Sequence, residues 1–299
     1  MTEETKNRLA VVGLRSGRTE RQVDLPADPE FVAANREVAV VVSPASGAVS
    51  VLDRRTLRPI KVLRGFDSPH IAEISPDGRF AYVTDDARGQ LAVIRLADAR
   101  LLARIPVGAA AHHLCVRPDG RQVWIALGES ASTIVVVDTS DPARPRVTGQ
   151  FDPGFPVHDL LFTPDGRRVW ITPSSREDVG VFSARSRRML FRVPGGAPPQ
   201  HVAFAGGRAY VASGYGSQIE LVSLDTGRVL KVAHAVYGSF NLDVAGGFVA
   251  VASLLRGTLS VYDDRLQLLR VRQIAPAARD VAISRPAPAT TRGAAGEVP

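Results

Sequence analysis

The chain has 299 residues, 45% of them hydrophobic and 22% charged, with a formal net charge of +7. That is enough apolar material for a large core, and the charge load is ordinary for a globular protein. Nearly all the positive charge is arginine, since Lys6, Lys61 and Lys231 are the only lysines, and it is spread over turns such as Arg54-Arg55, Arg167-Arg168 and Arg187-Arg188. With no basic run of five or more residues, no nucleic-acid partner is expected.

The single cysteine, Cys115, excludes an intramolecular disulfide, and its apolar setting in LCV favours a buried thiol over a catalytic one. The opening string MTEETKNRLAVVGL begins polar and acidic, and its apolar stretch is too short for the core of a signal peptide. No stretch approaches 18 apolar residues, so no membrane partner is expected and the chain reads as cytoplasmic.

Residues 1–8 read as an N-terminal lead. LAVVGL at 9–14 and the segment 21–25 read as the third and fourth strands of a unit whose first two strands do not precede them. From there a four-strand pattern repeats. Its marker is the turn between first and second strands, which needs a residue tolerant of positive φ. That turn falls at Asn35, Gly78, Gly120, Gly166, Gly207 and Gly247, at intervals of 43, 42, 46, 41 and 40 residues. Three of the turns read SPDGR, RPDGR and TPDGR, with proline presetting φ ahead of the Asp-Gly corner; AGGRA and AGGFV are one residue shorter. Asn35 is expected to stand in for glycine.

First strands precede these turns at 31–34, 70–74, 112–116, 158–162, 201–204 and 240–244. Second strands rich in β-branched and aromatic residues follow (AYVT, VWIA, VWIT, AYVAS, VAVAS), then Val/Ile-rich third strands such as LAVIRL and IVVVD. Short strands at this spacing, without helical periodicity, indicate an all-β fold. RDVAIS at 279–284 is a first strand with nothing after it, so six complete units and one shared between the termini make seven. Joining the ends closes a ring and leaves no free sheet. The expectation is one seven-bladed β-propeller domain over 9–284. The second strand of its shared blade is not found, and 285–299 is expected to be a disordered tail rich in proline, alanine and glycine.

AYVT at 81–84, preceded by SPDGR and followed by LAVIRL, resembles the YVTN-type β-propeller repeat, and VWIA and VWIT are variants of the same strand. The resemblance covers roughly 9–284 and implies seven blades. Its relatives include lactonases, lyases and propeller domains of nitrous oxide and nitrite reductases, so it implies little about activity. The electron-transfer domain of either reductase is missing from this chain.

In a propeller the starts of the first strands converge on one mouth of the central channel. Five of the six histidines stand there: His70, His112, His113, His158 and His201. Aligned on the turns, His70, His112 and His158 share one position. Ile71, His113, Asp159, His201, Asn241 and Asp280 share the next, where Glu30 is placed in the first complete blade. One reading is a divalent transition metal held by the five histidines, acting as Lewis acid or activating a water. In kind, the resemblance implies the same, because relatives hold a copper cluster on propeller histidines. Catalysis would fall to His113 and His201, with Asp159 or Asp280 orienting them or moving protons. Glu30, Arg88, Arg176, Tyr215, Asn241 and Arg256 are the expected contacts to a small-molecule ligand in the channel, which is anionic or aromatic on this reading.

The opposing reading has the imidazoles satisfying backbone groups at the connections, and the propeller serving as a non-catalytic scaffold with a protein partner on its rim. Glu73 and Asp243, deeper in the first strand, are paired channel acids or inter-blade ion pairs. No nucleotide cofactor is expected, since GxxxxGK[ST] does not occur, and GxSxG, HExxH and CxxC are likewise missing. Lyase or hydrolase chemistry fits the enzyme reading best.

Overall fold

The computed structural model describes residues 1–128, 130–195 and 197–284; the expected tail at 285–299 lies outside them. They form seven antiparallel sheets, one per blade, and the short 3₁₀ turns Glu4–Lys6 and Pro44–Ser46 are the helical elements among them. Blade 2 illustrates the unit: Pro69–Ile74 innermost, then Phe80–Asp85, Gln90–Arg95 and Arg100–Pro106 outermost. Blade 1 starts at Val32–Ala34, and blades 3 to 6 at Ala111–Val116, Val157–Phe162, Val202–Ala205 and Ser239–Ala245.

The turn chemistry follows the residues. In SPDGR, Ser75 Oγ donates to Asp77 Oδ1 (2.6 Å) and accepts from Phe80 N–H (3.0 Å), while Gly78 takes φ +74°. Asn35 is a correction: it does not adopt positive φ. Its Oδ1 accepts from the N–H groups of Glu37 (2.8 Å) and Val38 (2.9 Å), so the side chain makes the turn.

In blades 3 and 4 the aromatic residue third in the second strand packs against the next blade. Trp124 sets its ring edge-on to Phe162 of the next blade (5.0 Å), and Trp170 does so to Phe204 (5.6 Å). A threonine near the end of the second strand adds a polar stitch. Thr84 Oγ1 accepts from Ile71 N–H (3.1 Å) in its own blade and donates to the His112 carbonyl (2.6 Å) in the next. Thr172 joins Asp159 (3.0 Å) to Gln200 (2.8 Å) in the same way.

Blade 7 is the shared one. Arg8–Val12 and Thr19–Asp24 are its outer strands, as expected, and the missing second strand is Thr2–Glu3, inside the segment read as a lead. Thr2 N–H donates to the Asp280 carbonyl (3.0 Å), which places 279–284 innermost. Thr2 Oγ1 accepts from Asp280 N–H (3.0 Å) and donates to the Glu30 carbonyl of blade 1 (2.7 Å), the stitch made by Thr84 and Thr172. Two polar residues are too short a strand for periodicity to reveal, yet both are buried. A largely apolar cavity of about 810 Å³ adjoins this strand, between residues such as Val12, Leu14 and Ile283, on the face opposite the histidines. Among the described residues, no helix is long and apolar enough to cross a membrane.

Replacing Thr84 with valine keeps the shape and strands the buried Ile71 N–H and His112 carbonyl. Urea denaturation of Thr84→Val should show a loss of about 1–3 kcal/mol, whereas the same change at exposed Thr19 should be close to neutral.

Candidate metal centre at the channel mouth

Innermost strands begin at the mouth, and several begin with a break in pairing to their second strand. The register shifts between Pro69 and Ala72, Ala111 and Leu114, Val157 and Asp159, and Ser239 and Asn241. His70, His112, His113, His158 and Phe240 all lie in these irregularities, where side chains are re-aimed out of regular alternation. Two rings of residues result. The outer holds Glu30, His70, His112, His158, Gln200, Phe240 and Arg279; the inner holds Phe31, Ile71, His113, Asp159, His201, Asn241 and Asp280. Val32 pairs Val41 as Ala72 pairs Val83, so Glu30 belongs to the outer ring and Phe31 takes the place expected for Glu30.

The five histidines converge. His70, His112 and His113 bring ligand atoms within 4.8 Å of one another, as do His113, His158 and His201, so His113 belongs to both groups. His70 and His112 stack at 3.7 Å between ring centroids, and His113 lies 5.0–5.2 Å from the other four rings. Phe31 packs against His70, His113 and His201 (5.0, 6.0 and 6.2 Å) and gives the cluster an apolar side.

Carboxylates hold the rings. Asp159 Oδ1 is 3.1 Å from His113 Nδ1 and its Oδ2 is 3.0 Å from His201 Nδ1, so one carboxylate spans two blades. Burial raises the Asp159 pKa, but the His201 and His113 partners outweigh it and hold the group well below the usual carboxylate range. An ionised carboxylate only accepts, so both Nδ1 atoms carry the hydrogen that they donate to it. Burial pulls His113 down to about 3 against the raising effect of Asp159, which leaves the imidazole neutral. Burial, then the neighbouring His113 and His112, lowers His70 still further, and its buried Nε2 has no hydrogen-bond partner. His112 Nδ1 is 2.6 Å from Asp86 Oδ2, and His70 Nδ1 is 3.7 Å from Glu30 Oε2.

The remaining expected residues divide. Tyr215 and Asn241 line the mouth cavity, of about 840 Å³, together with the five histidines. Glu30 is raised by burial, partly offset by Arg279 at 3.3 Å. Arg88 is paired to Asp67 (2.9 Å) and Arg176 to Asp178 (3.0 Å), and neither lines that cavity; nor does Arg256. Asp280 Oδ2 accepts Val32 N–H (2.9 Å), tying blade 7 to blade 1, and burial raises it to about 6. His234, the sixth histidine, is exposed at the end of an outermost strand. Cys115 is buried, and burial raises its thiol well above the usual value, as fits a packed residue.

Asp86, Gln200, Phe240 and Arg279 line or brace the mouth and were not singled out from sequence. Three of them stand at the outer-ring position of the histidines, which was the available signal; Asp86 sits in the DDARG loop, where only the fold brings it to His112.

Seven four-stranded blades around a channel define the chain as a seven-bladed β-propeller. No protein-family model matches it, and no curated protein does. Among solved structures it is similar to a functionally unknown protein from Desulfotomaculum acetoxidans DSM 771, with 16% identity over 96% of this chain and 98% of that one and a TM-score of 0.83. It is also similar to hydrazine synthase from Kuenenia stuttgartiensis (16% identity, 86% and 90% covered, TM-score 0.68). The Cps50 (Swd1) β-propeller domain from Myceliophteria thermophila is a third (15%, 82% and 86%, 0.66). At these identities the likeness is one of fold.

Below the cluster, Glu73 Oε2 accepts Val116 N–H of the next blade (2.9 Å), an inter-blade tie and not an ion pair. Burial raises Glu73 to about 8, with the Val116 hydrogen bond opposing. A carboxyl raised in the folded state leaves stability intact below about pH 4.5 and removes it as pH rises toward 8. Wild type should therefore lose on the order of 1–3 kcal/mol relative to Glu73→Gln between pH 5 and pH 9 in urea titrations. Parallel curves for the two proteins would refute the assignment.

Proposed function

We propose that the mouth is a transition-metal site centred on His113, His158 and His201, with His70 and His112 beside it, serving a small organic ligand. The observation that carries this reading is the double group of imidazoles sharing His113. Neutral imidazole is the commonest side-chain ligand for zinc, copper and iron, and a carboxylate on the other ring nitrogen is the usual brace for such a ligand. The unpartnered, buried Nε2 of His70 fits the same donor chemistry. Metal–nitrogen bonds are near 2.0–2.1 Å, so ligand atoms that lie within 4.8 Å of one another would have to move closer to hold an ion.

A metal there supplies Lewis acidity or an activated water, which suits lyase or hydrolase chemistry. Around it the chain's own groups act. Asp159 orients two of the rings, Phe31 excludes water from one side, and Glu30, its pKa raised by burial and its carboxylate close to Arg279, is placed to take or return a proton. The YVTN-type resemblance supports the reading in kind, through its histidine-bearing metal propellers. A second reading, a scaffold, draws on the apolar side chains exposed along outermost strands, such as Ile60, Leu190, Val232 and Leu269.

Elemental analysis of tag-free protein tests the choice. About one equivalent of zinc, copper, cobalt or iron is expected, falling below one tenth in His113→Ala/His201→Ala while the circular dichroism spectrum is kept. Metal-free protein that also takes up none on dialysis would leave the scaffold reading.

A further inference from the structure

Imidazoles come from blades 2 to 5, and blade 6 brings none to the mouth. At the outer-ring position of His70, His112 and His158 it carries Phe240, also inside a pairing break, between Ser239 and Asn241. Tyr215, from the loop after the second strand of blade 5, sets its ring edge-on to Phe240 (4.9 Å, 69°) and tilted to Tyr237 (6.5 Å). Tyr215 is 62% exposed and Tyr237 45%, so this wall buries little and adds little to the fold. The loop is nevertheless shaped for it. A Cβ on Gly214 would stand 2.2 Å from the Phe240 ring, so glycine is what lets the loop lie against that ring. Tyr215 and Phe240 line the same cavity as His113, His158 and His201.

An aromatic wall facing water beside a cluster of nitrogen donors is a recognition surface in two parts. We infer that the ligand taken at this mouth has a planar aromatic body and a metal-binding oxygen or nitrogen head, the ring held against Phe240 and Tyr215 and the head at the histidines. This rests on the metal-site reading above. The cavity, about 840 Å³, is within the range of roughly 300–1,000 Å³ typical of small-molecule sites. Ring pairs at 4.5–7 Å add to affinity beyond the area they bury, so an aromatic ligand should outbind an aliphatic one with the same head by about three- to tenfold.

Cobalt(II)-loaded protein titrated with benzohydroxamate and with acetohydroxamate, followed by the visible cobalt bands, measures that difference directly. The aromatic chelator should bind several-fold more tightly. Phe240→Leu and Tyr215→Ala should each cut the preference to about twofold or less without changing cobalt stoichiometry. Equal affinities in the parent protein, or an undiminished preference in both variants, would overturn the inference while leaving the metal site standing. If no cobalt is taken up, the metal reading fails instead. Saturation-transfer NMR on metal-free protein then decides the wall: transfer to the benzohydroxamate ring that is lost in Phe240→Leu supports it, and no transfer in the parent overturns it.

Discussion

The mouth depends on the innermost strands giving up regular pairing where they begin. In an unbroken strand, His112 and His113 would point to opposite faces. Here the shift between Ala111 and Leu114 releases both, their rings come within 5.0 Å, and their Nδ1 atoms reach different carboxylates, Asp86 and Asp159. Without that local departure the chain would present one imidazole per strand at most, and the group of His70, His112 and His113 would not form. The apolar contacts of Ala72, Leu114, Leu160 and their equivalents one step further along hold the strands in place while their ends are irregular.

Electrostatics then decides the state of the cluster. Five imidazoles gathered around His113 cannot all be charged in a buried setting, and burial keeps His70 and His113 neutral. Asp159, held ionised by its two histidine partners, is the negative group among them. Placed between blades 3 and 5, it is satisfied by one N–H from each, and so it brings a polar tie to an interface otherwise made by apolar packing. Glu73 and Asp280 make the same kind of tie with a single backbone N–H each, and their raised pKa values show how little that compensates a buried charge.

Much of the fold was legible because it rests on local rules repeated several times. Gly78, Gly120, Gly166, Gly207 and Gly247 all take the positive φ that their turns demand. Asn35 reached the same turn through its side chain, a choice that residue type leaves open. The histidine positions were legible by alignment, and the fold brings those residues together. Glu30 was misplaced by one residue, because a turn closed by a side chain offers no glycine on which to set the register. Arg88 and Arg176 were candidates by loop position alone, and nearby aspartates engage both away from the cavity.

By itself the sequence determined the repeat, the number of blades, the sharing of one blade between the termini and the histidine-bearing strand starts, since each depends on neighbours within a few residues or on a fixed spacing. Tertiary structure alone decided the rest. Thr2–Glu3 is a strand only because a gap between Arg8–Val12 and 279–284 accepts it. Asp86, Asp159 and Phe240 acquire their roles from residues of adjoining blades, 26 to 46 positions away for the histidine pairs, and such pairings become visible only once the ring has closed.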